Sequence, residues 1–258
     1  MKTIIGNWKM QVGVRESVAL ARASMLLLRG KKHVPNFVIC PPFVALSEVR
    51  KVVARSAVHL GAQNISWEEQ GAMTGEISAR MLTEVGATHV IIGHSERRQQ
   101  LNETDAMIHG KIVKALEHQL IPVVCVGETA EDRKQGKTKK VITTQLTRAF
   151  NSVRLRSKDQ LIIAYEPVWA IGTGETPTVS EVIETHNYIR EILNLALPNT
   201  PKERIQVLYG GSVNKGNAYP LLRESEIDGV LVGGASVKIN QLSEIVDAAI
   251  QVLEAQSN

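Results

Sequence analysis

The chain has 258 residues, 43% of them hydrophobic and 22% charged, a balance that excludes both a disordered chain and a membrane-embedded one. Thirty basic against twenty-six acidic residues leave a net charge of +4, which favours an anionic ligand and is far from a nucleic-acid footprint. Its two cysteines, Cys40 and Cys125, each lie inside an apolar run, predicting buried free thiols of the kind a reducing compartment keeps.

The first residues, Met1 to Trp8, lack the apolar core of a signal peptide, and no apolar run approaches the ~20 residues that span a bilayer. The expectation is a soluble, cytoplasmic protein without membrane partners. The length suits one large barrel or two ordinary domains, so the pattern along the chain must decide.

Eight short apolar runs recur: Thr3–Gly6, Phe37–Cys40, Val58–Ala62, His89–Gly93, Ile121–Val126, Leu161–Tyr165, Ile205–Tyr209 and Gly229–Gly233. Between them apolar residues fall at helical spacing, as in Val14, Val18, Ala21, Met25 and Leu28, or Leu242, Ile245, Val246, Ala249 and Leu253. Eight runs in 258 residues give about 32 residues per unit, the size of one βα repeat. No linker or composition shift divides them. The pattern predicts an α/β protein, a single-domain (β/α)8 TIM barrel over residues 1–258; an open doubly wound sheet is the competing architecture.

Barrels of this kind carry their chemistry at the C-terminal ends of the strands, so the residues after each run form one surface. The first run leads to Asn7 and Lys9, which alternation places on one face with Trp8 on the other. An ammonium and an amide there would stabilise charge developing on a carbonyl oxygen. The third leads to Gln63-Asn64 and the fourth to His94-Ser95-Glu96, in which Ser95 reads as a helix cap. At a helix start an imidazole can donate a hydrogen bond to a carbonyl without carrying charge. The fifth leads to Glu128. The basic stretch Lys134–Lys140 carries no aromatics and reads as solvated surface.

The sixth run ends in Glu166, and Pro167, lacking an N–H, blocks further pairing, so the carboxylate sits where strand gives way to loop. That loop closes on Gly172-Thr173-Gly174, whose glycines can turn backbone N–H groups toward an anion. After the seventh and eighth runs come Gly210-Gly211-Ser212 and Gly233-Gly234-Ala235-Ser236, on the two loops where barrels commonly hold phosphate. There is no Walker sequence, no dinucleotide fingerprint and no His-Glu-x-x-His, so a small phosphorylated metabolite is preferred to a nucleotide and neither metal nor cofactor is expected. Base, hydrogen-bond donor, cation and phosphate cradle together suit proton abstraction beside a carbonyl.

The segments Asn7-Trp8-Lys9-Met10, Thr74-Gly75-Glu76, Gly93-His94-Ser95-Glu96-Arg97-Arg98, Tyr165 to Gly174, Tyr209-Gly210-Gly211-Ser212 and Leu231 to Ser236 resemble, in order along the whole chain, those of the triosephosphate isomerase family. The resemblance implies cofactor- and metal-independent interconversion of dihydroxyacetone phosphate and glyceraldehyde 3-phosphate through an enediol(ate), in glycolysis and gluconeogenesis. It implies Glu166 as base, His94 as electrophile, Lys9 and Asn7 as groups holding substrate and oxyanion, and Glu96 as a carboxylate near that lysine. It extends substrate binding to Asn7, Trp8, Lys9, Gly172, Ser212, Gly233 and Gly234, and makes Pro167 to Gly174 a lid. It implies a homodimer, the loop Trp67 to Gly75 entering the partner so that Thr74 buttresses Asn7 and Lys9. Departures from the common pattern are Gln11 where Asn is usual, Glu175 where Lys is frequent and Val237 for Leu. Two rivals remain: an aldolase-like lyase, which needs a lysine where Glu166 stands, and a barrel retained as a binding or adhesion protein.

Overall fold

Eight apolar runs become eight parallel strands, and the last pairs with the first, Thr3 opposite Gly229 and Gly6 opposite Val232, so the sheet closes on itself. This computed structural model describes residues 1–171 and 175–257. The strands are β1 Thr3–Asn7, β2 Asn36–Cys40, β3 Val58–Ala62, β4 His89–Ile92, β5 Ile121–Val126, β6 Leu161–Tyr165, β7 Ile205–Tyr209 and β8 Gly229–Val232, in sequential order around the barrel. Every predicted strand is present within one residue at each end. β4 stops before Gly93 because that residue takes φ +71°, outside the extended region.

Among the described residues ten helices surround the barrel: α1 Val14–Leu28, α2 Leu46–Val53, α3 Ala79–Glu84, α4 Ser95–Gln100, α5 Asp105–Glu117, α6 Ala130–Lys134, α7 Thr138–Ala149, α8 Val179–Ala196, α9 Lys215–Leu222 and α10 Ile239–Ala255. The fourth and fifth units each carry an extra short helix, α4 and α6, beyond the one-helix repeat. None of the described helices is long and apolar enough to cross a membrane.

Strand alternation sorts the core into two layers. Ile5, Val38, Ile91, Val123, Ile162, Leu208 and Leu231 fill the barrel together with Cys40 and Cys125, both free and buried as expected. The residues between them, such as Ile4, Phe37, Ile39, Val90, Val124 and Val207, face the helices. Burying each large aliphatic side chain contributes about 1.5–3 kcal/mol, which is why so aromatic-poor a chain builds a stable core. Burial also pushes the Cys40 thiol up and, with the nearby Glu166 carboxylate, holds the Cys125 thiol well above its usual range.

Two histidines are built into the scaffold rather than the site. His89 and His186 are buried, each with an unpartnered Nε2, and burial lowers both to about 3. The native protein therefore holds them neutral while the unfolded chain protonates them below pH ~6.5. Their contribution to stability is complete above that pH and is lost as pH falls toward 3. Each should tilt stability by about 1.4 kcal/mol per pH unit in that window. Urea unfolding at pH 7 and 5.5 should show the loss, and His186→Gln should flatten the slope; a pH-independent midpoint over that range would refute it.

Candidate active site

Glu166 leaves β6 with its N–H donating to Val126 O (2.8 Å), and the next available donor, Val168 N, goes to Glu128 O (3.1 Å). Its side chain is only 2% exposed. One carboxylate oxygen accepts from Ser95 N (2.9 Å) and the other lies 3.1 Å from His94 Nε2. Gly210 makes room for it: a Cβ at that position would stand 2.9 Å from Glu166 Cγ. Glu128, expected among the strand-end polar groups, instead turns into the wall, where it accepts from Tyr165 Oη (3.2 Å) and Trp169 Nε1 (2.9 Å).

The helix cap differs from the sequence expectation. His94, not Ser95, is the N-cap of α4: its Nδ1 accepts from Glu96 N (3.2 Å), while the Ser95 N–H serves Glu166. An Nδ1 that accepts a main-chain hydrogen bond leaves the ring proton on Nε2, directed at Glu166. Behind the ring, Gly93 N donates to Glu103 Oε1 (3.2 Å), and Glu103 Oε2 takes Arg97 Nε (2.5 Å) and Lys111 Nζ (2.6 Å). Burial alone would raise the Glu103 carboxyl, but Lys111 and Arg97 outweigh it and hold it below the usual carboxylate range. Lys111 Nζ also donates to Asn64 Oδ1 (2.9 Å), so Asn64 supports this network rather than the site.

Lys9 is a non-glycine residue at φ +51°, a strained left-handed conformation of the kind that persists where surroundings fix it. Asn7 Oδ1 accepts the Lys9 N–H (3.1 Å), and Gln63 Nε2 donates to both Lys9 O and Cys40 O (2.9 Å each). The ammonium then reaches Glu96 Oε1 at 2.6 Å. Its stem lies across the eighth loop: a Cβ on Gly233 would stand 3.2 Å from Lys9 Cε. Ser236 Oγ donates to Asn7 O (3.2 Å) and Gly233 O (2.6 Å), tying that loop to β1.

A cavity of about 410 Å³ opens between these groups, lined by Asn7, Lys9, His94 and Glu166 on one side and by Gly210, Gly211, Ser212, Gly233 and Gly234 on the other. Residues from β1, β4, β6, β7 and β8 thus meet at one mouth. Among the described residues expected to bind substrate, Trp8 is the exception. It is fully buried in the outer core and does not line the cavity, because alternation turns it away from the barrel axis. Glu96 touches the site through Lys9, Thr74 is exposed on the loop after β3, and Gly172 lies outside the described residues with Thr173 and Gly174. Gln63 was expected on the strand-end surface, without the role of holding Lys9; Glu103 and Lys111 were not picked out from sequence. A lysine on the buried stripe of α5, beside Ile108, Ile112 and Ala115, was the available signal.

The sequence model of the family described as triosephosphate isomerase matches residues 2–249. The chain belongs to the triosephosphate isomerase family. Relatives bearing that name include one from Clostridium botulinum, 44% identical over 244 residues, covering 95% of this chain and 98% of the relative. Another, from Rhodopirellula baltica, is 45% identical over 246 residues, covering 95% and 96%. A crystal structure of triosephosphate isomerase from Bartonella henselae superposes with a TM-score of 0.84 at 38% identity, covering 96% of this chain and 98% of that one. The segment Pro167 to Gly174, expected to act as a lid, falls partly within the described residues, where Val168–Ala170 form a turn of 3₁₀ helix. Of the departures from the common family pattern, Gln11 and Val237 make no contact with the base or the histidine in the hydrogen bonds described above.

Proposed function

We propose that this protein is a triose-phosphate isomerase that interconverts dihydroxyacetone phosphate and D-glyceraldehyde 3-phosphate by proton transfer, without cofactor or metal, in the cytoplasm. The observation that carries the reading is the convergence of one buried carboxylate, one Nε2–H and one ammonium on a cavity whose far wall is glycine backbone. Phosphate would rest on the N–H groups of Gly233 and Gly234 and the Ser212 hydroxyl, with Gly172 completing the cradle. That anchor sets the three-carbon body against the carboxylate.

Glu166 and His94 occupy each other's hydrogen-bonding positions, 3.1 Å apart. A carbonyl oxygen presented between them accepts the hydrogen bond from Nε2–H and releases the carboxylate for the adjacent carbon. Glu166 then removes the carbon-bound proton, and Lys9 stabilises the oxygen as charge develops; His94 gives its Nε2 proton to that oxygen and takes the hydroxyl proton of the neighbouring one, and Glu166 returns its proton to the neighbouring carbon as the second carbonyl forms. Asn7 holds the Lys9 backbone in register, and Glu96 fixes the ammonium. A buried site also limits loss of phosphate from the enediolate.

We further propose a homodimer in which Thr74 of one copy seats against Asn7 and Lys9 of the other. Exposed apolar side chains support it: Met10, Val44, Met81 and Leu101, between 48% and 97% exposed, all follow the first four strands. Purified protein should oxidise NADH in the presence of glyceraldehyde 3-phosphate and glycerol-phosphate dehydrogenase, and should sediment at twice 28.3 kDa. No turnover would reject the isomerase; a monomer with full turnover would reject the role of Thr74.

A further inference from the structure

The cavity holds a second lysine, to which neither the sequence motifs nor the resemblance gave a role. Lys238, at the start of α10, lines it together with Gln241, one turn further on. It is exposed, and no ion pair to it occurs among the described residues. Of the acids further along α10, Glu244 pairs with Lys215 (3.2 Å) and Asp247 with Lys31 (3.8 Å), while Glu254 lies in the last turn, far from the cavity.

Lys9 is in the opposite situation. Its ammonium is 2.6 Å from Glu96, so that pair is close to neutral as seen by an approaching anion, and Glu166 adds a negative charge to the same cavity. A phosphate dianion would therefore approach a mouth of net charge about −1 were it not for Lys238, which brings the local sum to zero. An exposed ammonium on a flexible stem acts on an incoming anion over a Debye length without any fixed contact.

We propose that Lys238 is a substrate-capture residue, drawing the phosphate group of the triose into the glycine cradle and raising capture more than chemistry. The proposal rests on the isomerase reading and extends it to a residue outside the base, the electrophile and the oxyanion cation. Its class of ligand is any small phosphomonoester dianion, inorganic phosphate included.

Lys238→Met keeps the stem and removes the charge; Lys238→Glu reverses it; Lys238→Arg restores it. At ~0.01 M ionic strength, where the Debye length is ~30 Å, kcat/KM for glyceraldehyde 3-phosphate should fall about five-fold in the Met variant and about twenty-fold in the Glu variant. The deficits should shrink to under about two-fold above ~0.15 M, where screening acts within ~8 Å. The drop should exceed that for unphosphorylated glyceraldehyde, the Arg variant should recover, and calorimetric affinity for inorganic phosphate should weaken in parallel. Identical salt dependence and phosphate affinity in Lys238→Met and the unsubstituted protein would overturn the proposal. Phosphate affinity decides it without turnover: a protein that bound phosphate through Lys238 but isomerised nothing would sink the isomerase reading and leave the capture role standing.

Discussion

Glu166→Ala is expected to lower kcat by about 10³ to 10⁴, the upper range for removing a positioned general base. The reason is geometric as much as chemical. The carboxylate is 2% exposed, and its two oxygens are oriented by Ser95 N and His94 Nε2, so no water in bulk solvent can replace it at the same place. The proposed phosphate cradle does not depend on it, since Ser212, Gly233 and Gly234 make no hydrogen bond to Glu166 among those described. Inorganic phosphate should therefore still inhibit or bind within a few-fold of the unsubstituted protein. Truncation leaves two buried donors without an acceptor, at about 1–3 kcal/mol each at most, so thermal unfolding must be measured beside the kinetics. Glu166→Gln keeps the volume and separates the two effects: a folded Gln variant with near-normal turnover would show that the proton is taken elsewhere.

How much of this was legible in the sequence follows from topology. In a parallel barrel every strand end falls on the same side, so eight short runs sufficed to bring Asn7, Lys9, His94, Glu166, Ser212 and Gly233 to one surface before any contact was known. The same alternation that placed Asn7 and Lys9 together turns Trp8 outward, and there the family resemblance and the strand pattern disagreed; the pattern was right about its direction. What could not be read were contacts without a local signature. Glu103 and Lys111 meet because a loop and α5 pack against β4, and Gln63 reaches Lys9 across three strands. His94 caps α4 in place of Ser95 because the chain turns from extended to helical at His94 (ψ 141°), where its Nδ1 accepts the Glu96 N–H. Lys238 was hidden for another reason: a lysine at a helix start looks like any surface lysine until the cavity beside it is seen.

For Lys9→Ala the expected loss in kcat/KM is at least ~10³, since in the proposed reaction one side chain serves both the anion and the developing oxyanion, and a single lost oxyanion donor costs about 10²–10³. Both kcat and KM should move, unlike the capture-weighted effect expected at Lys238. Stability gives the decisive contrast. The Lys9–Glu96 pair is partly exposed, 21% and 44% at the two side chains, so breaking it costs little. The backbone at φ +51° is strained for any residue with a Cβ, and Lys9→Gly should relieve it, raising stability by about 1 kcal/mol less the entropy of the extra glycine. A lysine kept for the fold would show the reverse, intact turnover with a lowered melting temperature. A chain that carries strain at this lysine and loses no stability when the residue becomes glycine is holding its cation in place for the reaction, and unchanged kinetics in Lys9→Ala would mean that it is not.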